Sequence, residues 1–219
     1  MQNTSRTQVL KKEGRVWLRN AISPDDLARL DDLTDSGLQA GKRMSDTDML
    51  ANCVSLKAAI SKVAPAAKPV RVVAFNKSSA TNWGVPWHQD RVIAVAEREQ
   101  VEGFANWTRK SGVWHCEPPV SVLDQMLFVR VHLDANDQKN GAMKIAVGSH
   151  EQDLVPAAKA QGIAECYPIE SCDAARGDVL VLNMLTLHSS EPSQTGGGRR
   201  AWRMDFAAFD LPAPLRWVS

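Results

Sequence analysis

Hydrophobic residues recur at helical spacing in the first third of the chain. Leucines spaced three apart from Leu27 to Leu33 follow Ser23-Pro24-Asp25-Asp26, where a serine N-cap, a proline in the first turn and two acids favour a helix start. A short strand is predicted just before this helix, over Gly14–Leu18, and a second helix is predicted over Met49–Lys62. Residues 1–66 are therefore predicted to be rich in helix.

Short apolar runs replace this spacing from about residue 70 onward. Turns rich in Gly, Pro and Asn separate the runs, and many short strands joined in this way are typical of a β-sandwich or jelly roll rather than of alternating βα units. The expected fold is mainly β with N-terminal helices and a core over residues 70–208. The clearest strand-like runs are Val70–Phe75, Leu127–Leu133, Asp178–Leu182 and Trp202–Phe209.

The stretch Arg91–Pro119 is the least regular part of the predicted β region, and it mixes charges with Trp107, Trp114 and His115. It directly follows a short motif with metal-binding side chains, and a long insertion at such a place is typical of a lid or a substrate loop. A solvated loop without a role is the alternative. Gly196-Gly197-Gly198 is predicted to be a flexible turn.

The composition is that of an ordinary globular domain, with 44% apolar and 23% charged residues and a formal charge of +1 in 219 residues. We expect one domain over residues 1–219 and no nucleic-acid or anionic membrane partner. No apolar run approaches the roughly 20 residues that span a bilayer, and Met1–Lys12 lacks the apolar segment of a secretion signal. The four cysteines have no metal-binding spacing, so we expect free thiols in a reducing cytoplasm. Nothing in the sequence indicates an oligomeric state.

The tripeptide His88-Gln89-Asp90 carries the strongest chemical signal. In a strand, alternation places His88 and Asp90 on one face, and a distant His188 supplies a second imidazole. Two imidazoles and one carboxylate are the ligand set of the facial triad that holds non-haem Fe(II) in oxygenases. Each histidine taken alone is more often a core or surface residue, and it is the combination that favours a metal site.

Arginines near the C-terminus provide a candidate anion clamp. A guanidinium can bind a co-substrate carboxylate with two parallel hydrogen bonds, and Arg199 follows the distal histidine by eleven positions. Arg200 points to the opposite side of a strand, and we interpret it as a solvated charge. Arg203 shares the parity of Arg199 but lies further along, which makes it a weaker candidate.

The chain resembles phytanoyl-CoA dioxygenase (PhyH) family proteins in six short motifs that run in order from about Val70 to Ala208. The resemblance implies a double-stranded β-helix, a cupin-like form of the jelly roll, with Fe(II) bound at its mouth by His88, Asp90 and His188. It also implies 2-oxoglutarate and O2 as co-substrates, with Arg199 as the 2-oxoglutarate clamp. The motifs are Trp87-His88-Gln89-Asp90, Asn140-Gly141, Gly148-Ser149-His150, Gly177-Asp178, His188-Ser189-Ser190 and Arg199-Arg200.

The same resemblance suggests further roles and some departures. Ser190 stands where family members also touch the co-substrate, and Arg130 stands where relatives carry a co-substrate-contacting aromatic side chain. We therefore expect Arg130 to contact an anionic group, either of 2-oxoglutarate or of the substrate. Asp90 excludes the halogenase variant of the superfamily, in which Ala or Gly replaces this carboxylate. The chain has no extra basic segment for coenzyme A, so we expect a free small-molecule substrate rather than a thioester.

Five other residues are weaker candidates. Gln89, Arg91, Trp83 and Trp107 are interpreted as substrate or lid contacts, with ordinary loop packing as the alternative. His132 shares strand parity with Arg130 and either hydrogen-bonds a metal ligand from behind or fills the core.

The predicted activity is oxidation of a C–H bond, most simply hydroxylation, with release of succinate and CO2. The rival hypotheses are a cupin isomerase or hydrolase with another metal, a catalytically silent sensor of metal and 2-oxo acid, and a protein side-chain hydroxylase.

Overall fold

The computed structural model describes residues 5–35, 42–44, 53–77, 82–195 and 198–218. Within these ranges the helices are α1 (Arg6–Glu13), α2 (Pro24–Asp35), α3 (Val54–Ser61), α4 (Val120–Leu123) and α5 (Ala160–Ala164). The strands are β1 (Arg15–Leu18), β2 (Lys42–Met44), β3 (Lys68–Lys77), β4 (Val85–His88), β5 (Ile93–Val95), β6 (Ala105–Lys110), β7 (Val113–Glu117), β8 (Leu127–His132), β9 (Met143–Ala146), β10 (Ile169–Ser171), β11 (Val179–Asn183), β12 (His188–Ser190) and β13 (Arg199–Ala207).

The strands form two facing antiparallel sheets and a smaller third one. The major sheet has the order β1-β11-β8-β13-β3-β2, and the minor sheet has the order β10-β9-β12-β4. Strands β5, β7 and β6 form the third sheet. Most neighbouring strands of the two larger sheets are far apart in sequence, as expected for a jelly roll closed by long connections. The predicted fold, mainly β with N-terminal helices and a cupin-like jelly roll, is confirmed.

Alternation along the central strands of the major sheet divides its side chains between two apolar layers. On β8, Val129 and Val131 pack with the helical layer, while Phe128 packs towards the minor sheet. Trp202 of β13 is fully buried on the helical side, where its Nε1 donates to Thr34 Oγ1 of α2 at 2.6 Å. The helices thus cover one face of the sheet and leave the other face to surround an interior space.

Gly14 is where α1 ends and the chain turns into the major sheet. The helix begins with a capping box of Ser5 and Gln8, and Gly14 closes it with a φ of 69°. A Cβ at Gly14 would lie 2.4 Å from His150 Nδ1, so only glycine fits this close approach. The carbonyl of Gly14 accepts a hydrogen bond from Thr186 Oγ1 at 3.0 Å, which fixes the segment that leads into β12.

The predicted strands and the first helix are confirmed. Helix α2 begins at Pro24, and Ser23 Oγ accepts from the backbone N–H of Asp26 at 3.3 Å. The second predicted helix corresponds to α3, while residues 49–52 of that prediction lie outside the described residues. Gly196 and Gly197 of the predicted flexible turn also lie outside them. No helix in the described ranges has both the length and the apolar content needed to cross a bilayer.

The stretch Arg91–Pro119, predicted to be the least regular part of the β region, contains three strands that the sequence analysis did not predict. About half of it forms β5, β6 and β7, with an antiparallel β6–β7 hairpin and β5 paired to β7. Trp107 and Trp114 face each other across the hairpin, edge to face, with ring centroids 6.5 Å apart. The segment is an ordered small sheet that packs on the core.

Candidate active site

Three side chains with metal-binding atoms meet at the mouth of the jelly roll. His88 ends β4 and His188 begins β12, and the two residues lie directly opposite each other in the minor sheet. Their rings are 4.2 Å apart, and Asp90 follows β4 by two residues so that its Oδ2 lies 3.3 Å from His188 Nε2. One ligand atom from each residue falls within 4.8 Å of the others. Ligands at right angles around a metal, with bonds of about 2.1 Å, lie about 3 Å apart, so this spacing suits a single ion.

The backbone fixes the orientation of both imidazoles. His88 Nδ1 lies 2.8 Å from the carbonyl of Pro86, and His188 Nδ1 lies 2.9 Å from the carbonyl of Thr186. A carbonyl only accepts, so each Nδ1 carries the proton and each Nε2 keeps its lone pair for a metal. Burial, followed by the neighbouring His188, lowers the pKa of His88 and favours the neutral form that ligation requires.

The two carboxylate oxygens of Asp90 have different environments. Oδ1 accepts a hydrogen bond from Arg203 Nη1 at 2.7 Å, whereas Oδ2 is buried and accepts no well-aligned hydrogen bond from the described residues. Burial alone would raise the pKa of the Asp90 carboxyl, but the Arg203 guanidinium and then the imidazoles hold it well below its usual range. A buried, ionised and incompletely satisfied oxygen beside two imidazole lone pairs fits Fe(II), which favours this two-histidine, one-carboxylate donor set.

A cavity of about 110 Å³ extends from the histidines into the jelly roll. One part of its wall is cationic and the other is apolar, which suits a small organic anion beside a metal. The polar lining consists of Arg130, Ser189, Ser190, Arg199 and Arg203, and the apolar lining includes Phe75, Trp83, Val85, Phe128 and Met143.

Arg199 faces this cavity from the start of β13 and is 5% exposed. Its Nη1 donates to the carbonyl of Asn140 at 3.1 Å, and no described acid forms an ion pair with it. Gly141 lies beside the Arg199 guanidinium, and only glycine fits there. Its φ is 77°, and a Cβ would lie 2.6 Å from the carbonyl of Glu191. Burial lowers the pKa of Arg199. The remaining donors of the guanidinium are therefore available to an anion.

Arg130 is a second cation in the same wall. It lies on β8 directly opposite Arg203 of β13, and its buried Nε has no hydrogen-bond partner among the described residues. Burial and then the charges of Arg199 and Arg203 lower the pKa of Arg130 to about 9. A buried guanidinium without an acceptor is costly unless a ligand supplies one, so Arg130 also points to an anionic ligand.

A family model for phytanoyl-CoA dioxygenase (PhyH) matches residues 10–201, which is most of the chain. The protein belongs to the PhyH family. The cofactors predicted from the sequence, Fe(II) with 2-oxoglutarate and O2 as co-substrates, are confirmed by the family match and by the cluster of His88, Asp90 and His188. The PhyH family acts on small-molecule substrates. A comparison of the sequence with curated proteins finds no match.

Several solved structures share the fold of this chain. AviO1 from Streptomyces viridochromogenes Tue57 is 20% identical over 97% of this chain and 98% of its own, with a TM-score of 0.61. SnoK, a non-heme alpha ketoglutarate dependent carbocyclase from nogalamycin biosynthesis, is 13% identical over 92% and 82%, with a TM-score of 0.63. HygX from Streptomyces hygroscopicus, solved with nickel and 2-oxoglutarate bound, is 15% identical over 91% and 84%, with a TM-score of 0.57. At these identities the likeness shows the shared fold.

Most sequence-predicted residues of this PhyH protein lie together. His88, Asp90 and His188 converge, and Arg130, Ser190 and Arg199 line the adjoining cavity. Trp83 lines it near the surface and is 39% exposed.

The substrate-contact prediction for Gln89 is wrong. Its buried amide Nε2 donates to the carbonyls of Leu185 and Asp153 at 2.9 and 3.2 Å, and its Oε1 accepts from Val155 N–H at 2.8 Å. Both hydrogens of Nε2 and the amide oxygen of Gln89 therefore bond to backbone groups. Gln89 therefore ties the ligand-bearing segment to two loops instead of facing the cavity.

Two further candidates point into packed regions. Trp107 packs against Trp114, and its Nε1 donates to Phe104 O at 3.3 Å, away from the cavity. His132 is 1% exposed and its Nδ1 lies 3.2 Å from Asp178 O, with the ring 5.8 Å from that of Trp17. Burial lowers the pKa of His132 to about 3. Its contacts are with Asp178 O and Trp17 rather than with a candidate metal ligand, so it is a core residue. Arg91 is partly buried and does not line the cavity.

Arg203 contacts the candidate metal ligand Asp90, a role that the sequence did not predict. It shares the parity of Arg199, as predicted, but its hydrogen bond goes to Asp90. Asp205 and Arg71 stand behind it and were not singled out. The spacing of two residues between Arg203 and Asp205 on β13 was a sequence signal for their pairing. The contact of Arg203 with Asp90 has no such signal, because it depends on how the two sheets face each other.

Proposed function

We propose that this PhyH-family protein is an Fe(II)- and 2-oxoglutarate-dependent dioxygenase that hydroxylates a C–H bond of a small-molecule substrate, with release of succinate and CO2. The observation that carries the proposal is the convergence of three metal-binding atoms beside a cavity that holds a buried arginine without an acidic partner among the described residues. A cupin isomerase or hydrolase has no need of that arginine.

In this proposal His88, Asp90 and His188 hold the iron. All three come from one end of two neighbouring strands, so they would hold the ion from one side. Ligation from one side leaves room for a chelating co-substrate and for dioxygen. When bound, the iron supplies the oxidising chemistry, while the protein supplies binding, orientation and exclusion of water.

Arg199 and Arg130 are proposed to bind the distal carboxylate of 2-oxoglutarate, with Ser190 beside them. Both guanidiniums face the cavity, and neither forms an ion pair with a described acid. A carboxylate has lone pairs for donors from both arginines. In this arrangement Arg199 of β13 and Arg130 of β8 would hold the end of the co-substrate that is far from the metal ligands.

The substrate is proposed to enter on the side of Trp83, the exposed member of the cavity lining. Phe75, Val85 and Met143 are apolar members of the same lining, which suits a carbon-rich small molecule. Arg91 remains a candidate for contact with the substrate, on the sequence argument alone.

The test is a screen of small molecules for succinate formation by the full chain under Fe(II), 2-oxoglutarate and O2. We expect at least one compound to stimulate succinate release and to gain a single oxygen atom by mass. His88→Ala and Asp90→Ala should abolish this turnover, whereas Arg200→Ala, on the opposite face of β13, should retain it.

The outcome also separates the rival functions. Succinate formation by the His88→Ala variant at the wild-type rate would refute the metal assignment. Tight binding of metal and 2-oxoglutarate without turnover of any compound or protein would favour the sensor. A product that has lost two hydrogen atoms would contradict hydroxylation and indicate desaturation or ring closure.

A further inference from the structure

A chain of four alternating charges runs from the proposed ligand Asp90 into the major sheet. Arg203 Nη1 lies 2.7 Å from Asp90 Oδ1, and Arg203 Nε lies 3.0 Å from Asp205 Oδ1. Arg71 Nη1 lies 3.2 Å from Asp205 Oδ2 and also donates to the carbonyl of Val92 at 3.1 Å. The chain thus begins at the carboxylate of Asp90 and returns to the backbone two residues after it.

Strand register creates this arrangement. Arg203 and Asp205 are two apart on β13, and Asp205 lies directly opposite Arg71 of β3. The Arg203 guanidinium also lies over the ring of Phe128, with its carbon 4.8 Å from the ring centroid. Two carboxylates and one ring therefore hold it in a single orientation. The Asp205 side chain is 1% exposed and that of Arg203 is 10% exposed, so water screens these contacts little.

We propose that Arg203 is a positioning residue for the metal-ligating carboxylate, and that Asp205 in turn positions Arg203. The bond to Oδ1 fixes the Asp90 carboxylate and leaves Oδ2, which lies beside His188 Nε2, for the ion. The assignment rests on the proposed function, because it takes Asp90 to be an iron ligand.

The charges distinguish Arg203 from the two arginines proposed to bind co-substrate. Two carboxylates, Asp205 and Asp90, offset its positive charge and raise its pKa against the effect of burial. Arg130 and Arg199 have no such partner among the described residues. A guanidinium repels a divalent cation directly, so Arg203 can strengthen metal binding only through Asp90.

The test is the affinity of the full-length protein for Co(II) alone, measured by calorimetry without 2-oxoglutarate. Residues that orient a ligand typically contribute about 10–100-fold to metal affinity, and we expect Arg203→Gln and Asp205→Asn to weaken Co(II) binding within that range. Arg203→Lys should fall between them and the wild type, because a lysine keeps the charge but loses the fork. Arg200→Gln, three positions away on the opposite face, is the matched control and should not change the affinity.

A double-mutant cycle separates action through Asp90 from a general effect. In an Asp90→Ala background, Arg203→Gln should leave Co(II) affinity unchanged or raise it, since only the repulsion remains to be removed. An equal loss in both backgrounds would overturn the proposal. Unchanged Co(II) affinity with weakened 2-oxoglutarate binding would also overturn it and make Arg203 an anion clamp.

Folding is monitored for each variant by circular dichroism and thermal unfolding. If Arg203→Gln does not fold, Asp205→Asn and Arg203→Lys decide the question by the same criteria, since both keep a polar group in place. The cycle also separates the two hypotheses. Undiminished Co(II) affinity in Asp90→Ala refutes the ligand assignment itself, whereas a loss in Asp90→Ala with none in the Arg203 and Asp205 variants refutes only the positioning role.

Discussion

Replacement of Arg199 by alanine removes a buried guanidinium whose remaining donors face the cavity. Nη1 already donates to Asn140 O, so Nε and Nη2 are left for two hydrogen bonds to a carboxylate. Hydrogen bonds to charged groups contribute about 1.5–3 kcal/mol each. Arg130 keeps part of the contact, so we take the lower end, about 3 kcal/mol for the pair. That value corresponds to roughly a hundredfold weaker binding of 2-oxoglutarate.

The assay is a titration of the Co(II)-loaded protein with 2-oxoglutarate in the absence of substrate, followed by succinate formation with Fe(II). We expect Arg199→Ala to raise both the dissociation constant and the KM for 2-oxoglutarate and to leave Co(II) affinity intact. Arg199→Lys should recover only part of the loss, because an ammonium cannot bind the carboxylate in two parallel bonds. Arg200→Ala is the control on the same strand.

Binding of 2-oxoglutarate by Arg199→Ala within about threefold of the wild type would refute the clamp role of Arg199, since that leaves under 1 kcal/mol for the two bonds. A loss of Co(II) affinity without a loss of 2-oxoglutarate affinity would reverse the roles assigned to the arginine and the histidines.

Three further predictions follow from individual side chains. Arg130→Met should weaken 2-oxoglutarate binding in the absence of substrate; if instead only the KM of the substrate rises, Arg130 contacts the substrate. Gln89→Ala should lower the free energy of unfolding by about 2–3 kcal/mol, because it leaves buried backbone groups such as Val155 N–H without partners, and an unchanged urea midpoint would contradict this. Asp178→Asn should destabilise the protein at about pH 7 but little at about pH 2. Burial opposes ionisation of Asp178, but hydrogen bonds from Asn20 N–H, Arg19 and Ala175 N–H lower its pKa below 3.8. The stabilisation by the Asp178 charge is therefore present above that value and disappears as the pH falls through the lowered pKa. Equal destabilisation at both pH values would show that the charge is not involved.

The candidate metal site could be predicted from sequence because its residues stand in short motifs. His88 and Asp90 are two residues apart, although β4 ends at His88 and Asp90 lies beyond the strand, and the distal histidine and Arg199 keep family spacing. The environment of Gln89 could not be predicted in this way. Its partners, the carbonyls of Asp153 and Leu185, come from loops that only the folded chain brings together.

The small third sheet escaped sequence analysis for a different reason. Strand β6 is exposed at nearly every position, and β5 is buried at every position. Neither shows the alternation of buried and exposed residues by which a strand is recognised. The Asp90–Arg203 contact escaped as well, because it joins a residue after a strand of the minor sheet to one in the major sheet. Such contacts depend on how the sheets are stacked.

Removal of each of the three cavity arginines is expected to change Co(II) affinity in a direction that depends on its role. Each carries a positive charge that opposes a divalent cation, yet only Arg203 is bonded to the carboxylate proposed to bind that cation. Without 2-oxoglutarate, removal of Arg130 or Arg199 should therefore leave Co(II) affinity unchanged or raise it, whereas removal of Arg203 should lower it. The affinity for 2-oxoglutarate should fall more on removal of Arg199 or Arg130 than on removal of Arg203. If all three variants shift Co(II) affinity in the same direction, the arginines act as a general field, and the separate roles assigned to them here are wrong.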